Sequence, residues 1–102
     1  NRNAADGEDP IVACAEVGRA KLLQNLLSSN GSPNAVSSTG LTALAAAALS
    51  GNADCVRVLL EAGATVDDSC GRSATTPLSY AAQEGYRAIC QALVEAGADP
   101  EK

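Results

Sequence analysis

The chain has 102 residues, a net charge of −5 and no histidine, and its 46% hydrophobic content is drawn mainly from Ala, Leu and Val, with Tyr80 and Tyr86 the only aromatics. That length bounds one domain, and the seven Lys and Arg are scattered, leaving no basic run to track a phosphate backbone. About a fifth of the residues are Ala and none is Phe, Trp or Met, a composition that suits short helices packed closely rather than a globule filled by large rings.

The predicted elements, in chain order, begin with a small, polar tail over residues 1–8, expected to be loosely ordered. Asp9 is a candidate N-cap with Pro10 at the first helical position, opening a helix to about Val17. Gly18 turns the corner into a second helix from about Ala20 to Ser29, which stops at Asn30, a residue that tolerates the left-handed region. Residues 30–41 are rich in Gly, Pro, Asn and Ser and read as a projecting turn. Thr42 caps Ala43–Ser50, Gly51 makes the next corner, and a helix follows from about Ala53 to Ala62, stopped by Gly63. A second turn runs from Ala64 to Thr75. Thr76 with Pro77 then starts a helix to Glu84, and Gly85 leads into Tyr86–Ala96, stopped by Gly97. Asp99–Lys102 begins a further turn.

The plan repeats. Gly51 to Gly85 is a step of 34 residues and Gly18 to Gly51 a step of 33, the extra residue falling within Ser69–Thr75. A period near 33 signals a stacked array in which each unit needs its neighbours to bury an apolar face. The second helices carry that face as Leu22, Leu23, Leu26 and Leu27, then Cys55, Val56, Leu59 and Leu60, then Ile89, Cys90, Leu93 and Val94. The first helices are nearly bare, as Ala45–Ala48 and Ala81–Ala82, so neighbouring helix backbones can approach closely. Cys14, Cys55 and Cys90 read as small core residues. Cys70 lies in a turn, and no pair of cysteines has metal-ligand spacing. The first unit is the most polar, through Arg19, Lys21, Gln24 and Asn25, and reads as an N-terminal cap. The third is either a terminal cap or one of a longer series.

Thr76-Pro77-Leu78 with Ala81-Ala82 and Gly85, followed by Leu93 to Asp99, resembles the ankyrin repeat. Thr42-Ala43-Leu44, Gly51 and Leu59–Ala64 form a second copy, and Asp9-Pro10-Ile11, Gly18 and Leu26–Ala35 a degenerate first one. The resemblance covers roughly residues 9 to 99 and implies an all-α ankyrin-type solenoid. Its three helix-turn-helix repeats span about 9–41, 42–75 and 76–102 and are joined by β-hairpin fingers. The family's histidine after Thr-Pro-Leu is Val12, Ala45 and Ser79 here, so the hydrogen bonds it makes are absent or replaced. Asn34 takes the hairpin position that asparaginyl hydroxylases modify in animal members, where its ordinary role is a turn hydrogen bond.

Catalysis finds little support. A Ser or Cys nucleophile lacks a histidine base, no nucleophile elbow or phosphate-binding glycine loop occurs, and Asp67-Asp68 falls in a turn where Asp serves local hydrogen bonding. The expectation is a non-enzyme without cofactor or metal, with no nucleic-acid or membrane partner. The domain should be monomeric in a reducing intracellular compartment, cytoplasmic or nuclear. The resemblance implies protein–protein recognition on a concave face of finger tips and outer positions of the first helices. Carried over residue by residue, the fingers give Val36, Ser38, Thr39, Leu41 and Arg72, and the helices give Val17, Leu49, Ser50, Tyr80, Gln83 and Glu84. Val17, Leu41 and Leu49 either face a partner or touch an adjacent finger or helix. Arg72 is a candidate anchor for a carboxylate or phosphate, or a solvated turn residue. Two other roles stay open: a solenoid segment packed within a larger enzyme or channel, and a thiol redox switch at Cys70.

Overall fold

A computed structural model describes residues 10–37, 40–66 and 75–97, and among these there are six helices and no extended strand. They are α1 (Pro10–Val17), α2 (Ala20–Ser28), α3 (Ala43–Ser50), α4 (Ala53–Glu61), α5 (Pro77–Glu84) and α6 (Arg87–Glu95). The inner helices α1, α3 and α5 stack side by side, and the outer helices α2, α4 and α6 form a second layer behind them. The result is an all-α solenoid, 38 × 26 × 19 Å.

Local sequence explains the starts and stops. Thr42 is extended, and its hydroxyl accepts from the Ala45 amide at 3.1 Å. Thr76 accepts from the Ser79 amide at 3.3 Å, with Pro77 next in line, where its missing N–H costs nothing. Gly51 and Gly85 end α3 and α5 at φ 78° and 77°, and Asn30 at φ 80° takes the left-handed role after α2. The inner-helix bounds agree with the sequence expectation, and the outer helices end one residue short of it, within ordinary fraying. Of the first finger, one antiparallel bridge joins Val36 to Thr42, supported by Ser37 N–H donating to the Leu41 carbonyl at 2.8 Å and Ala43 N–H to the Ala35 carbonyl at 2.9 Å.

The core runs along the seam between the layers. Ala43 through Ala48 of α3 are all buried, together with Leu23, Cys55, Val56, Leu59, Ile89 and Leu93. An eight-residue helix buried on nearly every side is possible because its side chains are methyl groups. Its neighbours α1 and α5 can lie against its backbone without a layer of bulky side chains between. Two expectations need correction. Cys90 is half-buried rather than core, because in this chain no further unit covers its side of α6. The first unit does show exposed Arg19, Lys21, Gln24 and Asn25. Yet its Leu22 is 45% exposed where Cys55 and Ile89, at the same place in later units, are sealed, so its outward side is not fully polar. The polar tail and the second finger from 67 to 74, with Cys70, lie outside the described residues.

Candidate functional site

The stacking places corresponding residues of the inner helices in rows. Ala13, Ala46 and Tyr80 form one row, Glu16, Leu49 and Gln83 a second, and Val17, Ser50 and Glu84 a third, each set one period apart. Because α1, α3 and α5 are direct neighbours, residues in a row are about 10 Å apart. Five of the sequence candidates fall in the second and third rows and a sixth, Tyr80, in the first.

Their exposure separates them. Val17, at the end of α1, is 69% exposed, the most open large apolar side chain described. Ser50, Gln83 and Glu84 are exposed, while Leu49 and Tyr80 are half-buried. Of the two readings of the apolar candidates, Leu49 and Leu41 therefore spend part of their surface on neighbours, and Val17 does not. On the finger, Val36 is 51% exposed and Leu41 half-buried. Ser38, Thr39 and Arg72 lie outside the described residues. The inner rows carry Glu16 and Glu84 and no Lys or Arg, so this surface combines open apolar contact with acidic character.

Two groups of residues fix the rows, and neither was legible in advance. The residue after each corner glycine reaches back to the preceding unit. Asn52 donates its amide to the carbonyls of Ala15 at 2.6 Å and Glu16 at 3.1 Å, capping the C-terminal end of α1. Tyr86 takes the same place one unit on, its ring against Gly51, where an added Cβ would come within 2.8 Å of Cζ. These contacts tie the units where the histidines of the ankyrin pattern are missing, and within the third unit the Thr76 hydroxyl donates to Ser79 Oγ at 3.1 Å. The fingers are joined by Asn34, whose Oδ1 accepts from the Thr65 amide at 2.8 Å. The expected turn bond thus crosses to the next finger.

The chemistry available is that of a surface. Cys14, Cys55 and Cys90 are free thiols. Burial pushes the Cys14 thiol up, partly offset by Arg19. Burial, then Cys14 and Asp54, raise Cys55, so neither is primed as a nucleophile. Among the described residues no group of three Cys, Asp or Glu is placed to hold a metal ion, and no helix is long and apolar enough to cross a membrane.

A two-layer stack of helix pairs with projecting fingers defines a repeat solenoid, and residues 11–102 match the model of the family described as ankyrin repeats, three copies. The chain belongs to the ankyrin-repeat family, whose repeats are protein–protein interaction modules and in general non-catalytic. It is 36% identical over 90 residues to the palmitoyltransferase Hip14 of Drosophila melanogaster, covering 88% of this chain and 14% of that one. It is 36% identical over 100 residues to the ankyrin repeat and KH domain-containing protein mask-1 of Caenorhabditis elegans, covering 96% of this chain and 4% of that one. Human protein phosphatase 1 regulatory subunit 27 is 41% identical over 61 residues, covering 60% and 39%. The chain thus spans well under half the length of each of these relatives. Among solved structures the human ASB11 ankyrin repeat domain superposes with a TM-score of 0.83 at 32% identity, covering 90% of this chain and 41% of that one.

Proposed function

We propose that this chain is a non-catalytic recognition domain, an adaptor, scaffold or targeting module. It holds a segment of a protein partner along the inner rows and the fingers. The observation that carries this reading is Val17, an apolar side chain 69% exposed at the end of a row in which Leu49, Ser50, Gln83 and Glu84 lie alongside. An apolar side chain left in water on the face between fingers and inner helices contributes nothing to the stack. A partner segment offering an apolar side chain to Val17 and Leu49, with basic or donor groups toward Glu84, suits this surface. Val36, Ser38, Thr39, Leu41, Ser50, Arg72, Tyr80 and Gln83 complete the proposed contact set. The domain acts as an intracellular monomer without nucleic acid, membrane or cofactor. A relative named as a phosphatase regulatory subunit supports action on a partner.

A second reading has its own support. A relative named as a palmitoyltransferase aligns over 14% of its length, so the solenoid could pack within a larger enzyme. Photoreactive residues placed one at a time at positions 17, 50 and 84, with positions 57, 61 and 91 on the outer layer as controls, separate the two in cells. Adducts to another polypeptide from the inner rows alone support recognition in trans. Adducts only within the parent polypeptide support the second reading, and equal adducts from both layers overturn the proposed surface.

A further inference from the structure

The outer helices carry a backward-facing and a forward-facing half of their apolar stripe. Backward residues meet the preceding unit, as when the Cys55 thiol points at the Cys14 carbonyl at 3.7 Å. The forward residues are Leu23 and Leu27, Val56 and Leu60, and Cys90 and Val94. In the second unit, Ala48 and Val56 are completely sealed by the third. Their counterparts one period on are not: Ala82 is exposed, Cys90 is half-buried and Val94 is 46% exposed. Gly51 is covered by the Tyr86 ring and Gly18 is met by Asn52, whereas an added Cβ at Gly85 would have nothing within 4 Å. Ala82, Gly85, Arg87, Cys90, Gln91 and Val94 together line one depression of about 420 Å³.

We propose that this depression is an inter-unit seat and that its occupant is a fourth helix pair of the same polypeptide, stacked as α5 and α6 stack on α3 and α4. The molecule supplies the template twice, since the same surface on each of the first two units is closed by the next. The solved human ankyrin domain that superposes on this stack is longer, the present chain covering 41% of it. The template also states the chemistry of the occupant. A planar ring or an amide must sit over Gly85, as Tyr86 and Asn52 do over Gly51 and Gly18. An amide there would donate to the last carbonyls of α5 as Asn52 does to those of α1. The occupant's first helix must be built of small residues to lie against Ala82. Its second helix must present an apolar pair to Cys90 and Val94, as Ile89 and Leu93 are presented to the second unit. None of this depends on the proposed recognition surface, which lies on the other side of the inner helices.

Cys90 is a built-in reporter. In a Cys70→Ser background, its reaction with a disulfide-exchange thiol reagent is compared between the 102-residue chain and the longest natural polypeptide containing it. Fast labelling in the former and labelling at least about tenfold slower in the latter is expected, because a seated unit allows reaction only through local opening. Equal rates overturn the proposal. Val94→Glu is expected to lower the unfolding midpoint of the longer polypeptide while leaving that of the 102-residue chain in place, and an equal shift in both would also overturn it. If instead the 102-residue chain sediments as a dimer and Val94→Glu makes it a monomer, the occupant is a second copy and the fourth helix pair is rejected.

Discussion

Asn52 joins two units through one side chain, and no apolar residue could replace it. Its amide holds the Ala15 and Glu16 carbonyls, which as α1's last carbonyls have no partner within the helix. Asn52→Ala removes both bonds and opens the end of α1, and is expected to cost about 1–2 kcal/mol in denaturant unfolding. The same substitution at the exposed Asn25 serves as a neutral control. The buried thiols give a second prediction at this scale. Cys14 and Cys55 are held above their ordinary value of 9.0, chiefly by burial, so the folded chain keeps protons that the unfolded chain loses. Their contribution is complete below pH 9 and declines as pH rises above it, by at most about 1.4 kcal/mol per pH unit for each thiol. A Cys14→Ala, Cys55→Ala double variant should show a flatter stability profile between pH 8.5 and 10. Identical profiles for variant and parent would remove the thiols from the account.

The bareness of α3 is what allows the stack to close. Ala45, Ala47 and Ala48 have no exposed surface, and any added methylene meets a neighbouring helix. Ala47→Leu is expected to lower stability by about 1–3 kcal/mol in urea titration, whereas Ala82→Leu, on an open helix of the same type, should cost little in this chain. Helix bounds were readable from the sequence because caps and corners are local: Thr42, Thr76, Pro77 and the glycines act on residues a few places away. The open and closed halves of the stripes were not readable. Leu22 and Val94 occupy the same pattern as sealed residues, and their exposure depends on whether a neighbouring unit covers them, which no local pattern contains. The Asn52 and Asn34 ties were missed for the same reason, since their partners lie 37 and 31 residues away.

At the scale of the molecule, stability is shared between nearest neighbours, so the middle unit, with two, should be the last to open. Hydrogen exchange is expected to be slowest in α3 and α4 and faster in α2 and α6. Uniform protection across the six helices would show a single cooperative block instead. The candidate surface was partly legible: the rows follow from the period, but the distinction between open Val17 and half-buried Leu49 rests on packing. Residues 38, 39 and 72, outside the described residues, are placed on that surface by resemblance alone.

The two layers differ in thickness, and this has a geometric consequence. The inner helices meet through methyl groups and the outer helices through Leu, Val and Ile, so each unit is a wedge, and wedges laid side by side bend into an arc with the inner helices on its hollow side. The radius of that arc is therefore set by Ala46, Ala47, Val56 and Leu59, residues that no partner touches. Exchanging bulk between the layers would flatten the hollow or tighten it, altering which shapes fit without changing one atom of the surface they meet.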